Sequence, residues 1–340
     1  MLSRNIGDYH FLADQKTGVT FRWGETLNDN PVFAPVPELA DISISNRCSK
    51  GCDFCYRAST PSGGLMTVED YCDVLDKMED PKYGNVFQVA LGGGEPLEHP
   101  DFFDIIEETV KRRIVPNFTT NGRLLTEKTF ERLIGKIGAM AISITDMGEM
   151  EVLKDVIKQR NGVRVNLHYI LSQKTISQAT EIVEGSYNDW LSDVNAIVFL
   201  TYKPAGRGGV KDVLKAGNEL EGFLKRVKRQ ETTCKIGFDA CFVPMMLHRT
   251  KGIDDYVDFC EGGFFSVYIN ERKEVSPCSF SAGRDCYSLN EYDFYDIWLN
   301  KLKDYRNRHI NKCRNECRVK SLCKGACPYY PSITTCYKKR

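Results

Sequence analysis

Three cysteines near the amino end of the chain have the residue type and the spacing that hold an iron–sulfur cluster. Cys48, Cys52 and Cys55 follow the pattern Cys-x3-Cys-x2-Cys. Phe54 precedes the third cysteine and Tyr56 follows it. A four-iron cluster that only transfers electrons normally takes four cysteine ligands. A loop that supplies three leaves one iron open to a substrate or cofactor, and this arrangement predicts catalysis.

A structural zinc loop or a disulfide knot is the alternative for this triplet. Structural zinc sites close with four ligands, which usually come as cysteine pairs in two separated knuckles. A single loop with three clustered cysteines fits that pattern poorly. The spacing therefore favours an iron–sulfur cluster.

A glycine-rich turn after the second predicted strand is a further candidate site. It reads Gly-Gly-Gly-Glu-Pro over residues 92–96. Consecutive glycines let backbone groups approach a ligand closely, because no Cβ stands in the way. By itself the run is a weak signal, since glycines after a strand often form only a tight turn.

Ten further cysteines crowd the chain after residue 230. Five of them form the run Cys-x3-Cys-x5-Cys-x3-Cys-x8-Cys over residues 313–336. Residues 260–278 predict a β-hairpin with a cysteine at each end. Such a density of cysteines predicts metal ligands. A zinc-ribbon module is the alternative, because four thiolates also suit tetrahedral zinc.

Strands that alternate with helices must position these loops. Apolar runs of strand length predict six strands, at residues 42–45, 86–91, 115–119, 139–144, 165–171 and 196–201. Their alternation with helical patterns indicates a parallel α/β architecture. In parallel barrels the active site lies at the carboxyl ends of the strands. The cysteine triplet directly follows the first predicted strand, so we expect it at that end.

The cysteine triplet resembles the signature of the radical S-adenosylmethionine superfamily. The resemblance implies that the open iron binds the amino and carboxylate groups of S-adenosylmethionine. It further implies that the cofactor is cleaved to methionine and a 5′-deoxyadenosyl radical, which abstracts a substrate hydrogen. In that family a partial, six-stranded (β/α)6 TIM-type barrel is common, and we expect the α/β fold to take this form.

The glycine turn resembles the family's Gly-Gly-Glu-Pro motif, which contacts the amino-acid end of the cofactor. The resemblance assigns that role to Gly93, Gly94 and Glu95, with Pro96 as a rigid turn residue. Asn121 follows the third predicted strand, and Ser143 lies on the fourth. In the resembling family, hydroxyl or amide groups at these places often contact the ribose or carboxylate of the cofactor. Ordinary strand-end turns are an equally good interpretation of these last two positions.

The cysteine-rich tail resembles the SPASM extension of radical enzymes, which binds two auxiliary four-iron clusters. By order along the chain, one cluster is expected to take Cys313, Cys317, Cys323 and Cys336. The other is expected to take Cys260, Cys278 and Cys327, with Cys241 as the fourth ligand and Cys234 and Cys286 as competitors. The chain would then hold three [4Fe–4S] clusters. The spacing Cys313-x3-Cys317 departs from the family's Cys-x2-Cys.

The predicted division of the chain has three parts. Residues 1–40 form a strand-like preamble, residues 41–230 the barrel, and residues 231–340 the SPASM-like domain. Asp239 lies where the barrel meets the tail, and we predict that it removes the proton that accompanies substrate oxidation. A loop cap is the alternative role for this residue.

The expected reaction is oxidative, because an auxiliary cluster can accept the electron that a substrate radical must lose. Many members of the resembling family modify ribosomally made peptides or protein side chains. We therefore expect crosslinking or dehydrogenation of a peptide or protein, with an external one-electron donor such as flavodoxin or ferredoxin. A radical enzyme acting on a small molecule or RNA, and a non-enzymatic iron–sulfur electron carrier, are the alternatives.

The balance of charge and the absence of long apolar runs narrow the partners. The 46 Lys and Arg residues match 46 Asp and Glu residues, so nucleic acid is disfavoured as a partner. No signal peptide and no membrane span are predicted, and we expect a soluble, cytoplasmic protein. Cytosolic thiols are kept reduced, so the fourteen cysteines are interpreted as metal ligands rather than disulfides.

Overall fold

The computed structural model describes residues 1–229, 231–251, 257–311, 317, 319–323 and 325–334. The strands are, in chain order, β1 Leu2–Ile6, β2 Tyr9–Ala13, β3 Thr20–Trp23, β4 Leu39–Ser45, β5 Gln88–Gly93, β6 Val115–Thr120, β7 Ala139–Ile144, β8 Val165–Leu171, β9 Ala196–Thr201, β10 Lys235–Phe238, β11 Ser266–Ile269, β12 Glu274–Ser276 and β13 Tyr287–Ser288. The α-helices are α1 Val68–Met78, α2 Phe102–Lys111, α3 Glu127–Leu133, α4 Met150–Lys158, α5 Ile176–Val183, α6 Asn188–Leu191, α7 Asn218–Val227, α8 Val243–Arg249, α9 Lys303–Asn311 and α10 Lys320–Cys323.

Parallel strands in the order β10-β9-β8-β7-β6-β5-β4 form the centre of the larger sheet. Strands β4 to β9 match the six predicted strands, and their ends differ from the prediction by at most three residues. The predicted α/β class is confirmed. Since the order continues through β11 to β13 without returning to β10, the described strands form an open, partial barrel.

Two strands beyond residue 230 extend this sheet at either side. β10 pairs in parallel with β9, and β11 pairs in parallel with β4. β11 also pairs antiparallel with β12, which confirms the predicted hairpin. The sheet therefore continues across the predicted boundary at residue 230, and the division into three domains stays a prediction.

Helix α1 shows how local sequence sets the helical layer. The Thr67 side chain accepts a hydrogen bond from the backbone N–H of Asp70 and so caps the first turn. The apolar residues at helical spacing are all buried: Tyr71, Val74, Leu75 and Met78. This face packs in the main core with the apolar residues of the sheet. No helix among the described residues is long and apolar enough to cross a membrane.

The preamble forms a small antiparallel sheet in which β2 pairs with β1 and β3. Arg4 is buried and donates hydrogen bonds to the carbonyls of Val36 and Pro37. Arg22 forms an ion pair with Glu38 at 3.0 Å, just before β4. These contacts fasten the preamble to the segment that enters the first barrel strand.

Candidate active site

The cysteine triplet lies in the loop that leaves the carboxyl end of β4. The Cys48 N–H donates to the carbonyl of Thr60 at 2.9 Å, and the Cys55 N–H donates to the carbonyl of Cys52 at 3.3 Å. Burial raises the pKa of the Cys52 thiol, and the neighbouring Cys48 and Cys55 raise it further. The loop thus places the three thiols close enough for their charges to interact, at the carboxyl end of the barrel strands as predicted.

The loop after the last predicted strand holds the cysteine loop in place. Arg207 donates from Nε to the carbonyl of Cys52 at 2.8 Å and from its backbone N–H to that of Cys55 at 3.0 Å. Its Nη1 donates to the carbonyl of Ser59 at 2.9 Å. A Cβ on the neighbouring Gly206 would collide with the carbonyl of Cys55. The sixth barrel loop therefore clamps the first.

Two further side chains anchor the cysteine loop from the following strands. Glu98 accepts hydrogen bonds from the backbone N–H and the hydroxyl of Ser49, at 3.0 and 2.6 Å. Lys50 forms an ion pair with Glu149 at 2.7 Å. The loop is therefore fixed by polar contacts that come from three different places around the barrel.

The glycine turn packs directly against the cysteine loop. A Cβ on Gly93 would collide with the Ser43 hydroxyl and the carbonyl of Ser45, and one on Gly94 would collide with the carbonyl of Arg47. The Gly94 N–H donates to the carbonyl of Ser45 at 2.6 Å. These two glycines thus permit a close approach between two loops, and the contact with the cofactor that the resemblance assigns to them stays a prediction.

Glu95 is buried and joins the glycine turn to the end of β6. Its carboxylate accepts hydrogen bonds from the Thr120 hydroxyl at 2.7 Å, from the Asn121 N–H at 2.6 Å and from the Leu97 N–H at 3.0 Å. Burial raises the pKa of this carboxyl. Pro96 opens the short 3-10 turn that follows. Glu95 therefore orders the turn that carries Asn121.

Asn121 directly follows β6, and Ser143 lies on the neighbouring strand β7. The Asn121 amide points at the Cys48 sulfur, with an Nδ2–Sγ distance of 3.9 Å. Ser143 is half-buried and lies in register with His168 on β8. Burial lowers the pKa of His168 to about 4, so this interior histidine is neutral near pH 7. Asn121 is thus near the triplet, whereas no contact joins Ser143 to it in the described residues.

A cavity of about 450 Å³ opens beside the cysteine loop at the carboxyl ends of β7, β8 and β9. Its lining includes Phe54 from the cysteine loop, Thr145, Ile170 and Tyr202. Pockets for small molecules commonly combine an apolar lining with a few polar groups. The position and size of this cavity suit a nucleoside-sized ligand next to the triplet.

Four tail cysteines, of which Cys241 follows β10 while Cys260 and Cys278 flank the β11–β12 hairpin, lie close to one another. Cys260, Cys278 and Cys327 interact electrostatically with one another, and Cys241 interacts with the first two. Burial raises the pKa of Cys260 to about 12 and that of Cys278 to about 11. These thiols stay protonated near pH 7 unless a metal binds, because metal coordination deprotonates a thiol.

The surroundings of this cysteine group are compatible with an iron–sulfur cluster. Backbone N–H groups of Phe280 and Tyr330 donate to the sulfurs of Cys278 and Cys327, both at 3.4 Å, as expected around cluster sulfurs. Among the described residues, no three His, Cys, Asp or Glu side chains are close enough to hold one metal ion. A cubane needs a wider arrangement, because each thiolate binds a different iron.

The two competing cysteines lie elsewhere. Cys234 precedes β10 and contacts the Thr232 hydroxyl, whereas Cys241 follows the opposite end of that strand. The charged neighbours of Cys286 are Glu274 and Arg272. These positions favour Cys241 as the fourth ligand, and the assignment stays a prediction.

Only some ligands of the other predicted tail cluster lie within the described residues. Cys313 and Cys336 lie outside the described residues. Cys317 lies 3.7 Å from Nε2 of His248 on α8, measured from its sulfur. Cys323 lines the same small cavity as Cys241, Cys260 and Cys327. The described contacts therefore do not divide the tail cysteines between two clusters.

Asp239 follows β10 and is already bonded at both carboxylate oxygens. The Thr201 hydroxyl donates to Oδ1 at 2.6 Å, and the Lys203 ammonium lies 3.0 Å from Oδ2. Both oxygens of the Asp239 carboxylate are therefore engaged by neighbouring side chains. Its role as the base stays a prediction that these contacts do not favour.

Sequence reasoning missed the residues that connect the two cysteine sites. The rings of Tyr56 and Phe280 lie 4.3 Å apart, which joins the segment after Cys55 to the segment after Cys278. Asp41 on β4 is half-buried and makes no side-chain hydrogen bond or ion pair within the described part of the chain. An acidic residue inside an otherwise apolar strand was the only signal for Asp41.

Comparisons with known proteins add an independent finding. The family model of the radical SAM superfamily matches residues 42–183. A tungsten-containing aldehyde ferredoxin oxidoreductase cofactor-modifying protein from Pyrococcus furiosus is 32% identical over 295 residues, which cover 77% of this chain and 79% of that protein. A PqqA peptide cyclase from Granulibacter bethesdensis is 30% identical over 292 residues, which cover 78% and 74%.

The fold has solved counterparts as well. The structure of Streptococcus suis SuiB bound to its precursor peptide SuiA matches with a TM-score of 0.66 and 17% identity. The match covers 90% of this chain and 77% of that one. At this identity the likeness shows a shared fold, which extends through the barrel into the cysteine-rich tail.

Proposed function

The chain belongs to the radical SAM superfamily and is an enzyme, and we propose that it oxidatively modifies a ribosomally made peptide or a protein side chain. The modification would be a crosslink or a dehydrogenation. The observation that carries the proposal is the group of half-buried thiols at Cys241, Cys260, Cys278 and Cys327, which interact with one another and are joined to the triplet loop through the ring contact of Tyr56 with Phe280. A second cluster held by these cysteines would accept the electron that the substrate radical loses.

The triplet and the loops around it would hold the cofactor. Cys48, Cys52 and Cys55 would bind three irons of a [4Fe–4S] cluster, and S-adenosylmethionine on the fourth iron supplies a radical that abstracts hydrogen. Glu95 of the glycine turn and Asn121, which donates to Glu95 and points at the Cys48 sulfur, would bind the amino-acid end of the cofactor. The cavity beside Phe54 would take the adenosine part.

The peptide substrate is supported by relatives. One is a peptide cyclase by name, and SuiB was solved with its precursor peptide. The cofactor-modifying relative from Pyrococcus furiosus, which is slightly more similar in sequence, favours a small molecule as the second candidate. In either case a cytoplasmic one-electron donor such as flavodoxin or ferredoxin would reduce the cluster at the triplet.

The test begins with co-expression of the protein with peptides encoded beside its gene, followed by mass spectrometry. We expect one peptide to lose two hydrogens per modification. A Cys260→Ala variant should still cleave S-adenosylmethionine but leave the peptide unmodified, because the cluster at the triplet is intact. Full product from that variant would contradict an auxiliary cluster as electron acceptor, and products found only among small molecules would support the second candidate.

Metal content is the accompanying control. Anaerobically reconstituted protein should bind close to three cubanes per chain if both tail clusters form. A value near one cubane would overturn the proposed role of the tail cysteines, including those outside the described residues, without touching the triplet.

A further inference from the structure

Lys203 is a buried cation that the reaction described so far does not use. It follows β9, and only 4% of its side chain is exposed. Its ammonium lies 3.0 Å from Oδ2 of Asp239, donates to the carbonyl of Thr201 at 3.0 Å and stands 4.3 Å from the ring centre of Phe280. Burying an ammonium costs free energy unless it is paired, so the buried position of Lys203 suggests a functional role.

The partners of Lys203 place it among the tail cysteines. Asp239 is two residues before Cys241, and Phe280 is two residues after Cys278. The positive charge of Lys203 acts on the thiols of Cys241, Cys260 and Cys278. At Cys241 it acts more strongly than the negative charge of Asp239. The ammonium end of the ion pair therefore dominates the field at these sulfurs.

We propose that Lys203 raises the reduction potential of the auxiliary cluster held by these cysteines, so that the cluster accepts an electron from the substrate radical. This inference rests on the proposed function. The substrate radical is oxidised by one electron and releases a proton to solvent, and the cluster is reduced by the same electron. The gain of negative charge beside a buried ammonium is favourable, because the protein interior screens charges weakly.

Asp239 then has a role other than that of a base. A lone ammonium among thiols would be hard to bury, and the carboxylate with the Thr201 hydroxyl fixes it in one place. The cation–π contact with Phe280 adds to this fixation. Lys203 is therefore a positioning residue that acts through the cluster and does not touch the substrate.

The test is a redox titration of the reconstituted enzyme, followed by electron paramagnetic resonance. A Cys52→Ala background removes the signal of the cluster at the triplet. In this background Lys203→Met should shift the equilibrium between the reduced and oxidised forms of one auxiliary cluster roughly tenfold towards the oxidised form, which is a fall of about 59 mV. Asp239→Asn should shift the same cluster in the opposite direction, and Lys203→Arg, which keeps the charge, should leave it near its original potential.

Iron content separates the possible failures. If wild-type protein binds only one cubane, the proposed function fails before Lys203 is tested. If the auxiliary clusters are present and the potential in Lys203→Met equals that of the background protein, the inference about Lys203 is wrong. Should Lys203→Met lose the cluster because Asp239 is left unpaired, the double variant Lys203→Met/Asp239→Asn decides: a lowered potential supports the proposal, and an unchanged one overturns it.

Discussion

Single side chains in the site each form hydrogen bonds with several neighbouring groups. Glu95 binds the turn after β6 through Thr120 and Asn121. Arg207 binds the cysteine loop through three carbonyls. The residue types of the triplet and the glycine turn were enough to predict the chemistry. Their bonding partners were not predictable, because they come from loops far apart in the sequence.

The first prediction concerns the open-site cluster. Cys52→Ala should abolish production of 5′-deoxyadenosine from S-adenosylmethionine, because the cluster loses one of its three protein ligands. Cys72→Ala is the matched control, since Cys72 lies on α1 with its sulfur beside Glu108. Chromatography of the reaction mixture measures both. Undiminished cleavage by Cys52→Ala would refute the ligand assignment.

Asp41 leads to a prediction about pH. Burial raises its pKa from 3.8 to about 7, which Arg57 only partly offsets. The folded protein therefore binds this proton more tightly than the unfolded chain, so the stabilisation is fully present below about pH 4 and is lost as pH rises towards 7. The loss is at most about 4 kcal/mol.

Asp41→Asn keeps a neutral side chain at every pH. The unfolding temperature of this variant, measured anaerobically, should therefore rise relative to that of wild type between pH 4 and 7. Above pH 7 the difference between the two should stay constant. Replacing the exposed Asp8 by Asn is the control for the loss of a surface carboxylate. A constant difference in unfolding temperature between Asp41→Asn and wild type across this pH range would contradict a raised pKa of Asp41 in the folded protein.

At the scale of elements, the strands that bear the site were predictable, whereas the pairing of β10 with β9 and of β11 with β4 was not. Strands β4 to β9 are apolar runs of six or seven residues, and such runs predict buried parallel strands. β10 and β11 have four residues each, and their partners are remote in sequence or lie across the predicted boundary. Their pairing depends on tertiary contacts that local patterns do not encode.

The contact between the glycine turn and the cysteine loop gives the prediction at this scale. Gly94→Ala should disturb the loop, because its Cβ would meet the backbone carbonyl of Arg47. We expect a several-fold loss of iron bound at the triplet and a destabilisation of roughly 1–3 kcal/mol. Gly92→Ala is the control, since a Cβ there meets nothing within 4 Å. Equal iron content in the two variants would show that the close approach is unimportant.

The whole molecule joins two cysteine sites through one continuous sheet. β11 places the tail hairpin beside the first barrel strand. Arg57, which follows the cysteine loop, contacts Tyr268 of β11 and forms an ion pair with Glu271. The position of Cys278 relative to the triplet is therefore fixed by backbone pairing and side-chain contacts.

One observation tests the central claim, which is an iron left open at the triplet for S-adenosylmethionine. The sample is the reduced, oxygen-free protein with Cys260→Ala and Cys323→Ala, in which the signal of the cluster at the triplet is isolated. We predict that adding S-adenosylmethionine changes the electron paramagnetic resonance spectrum of that cluster, because the cofactor becomes an iron ligand. A spectrum that stays the same in the presence of saturating cofactor would contradict the claim.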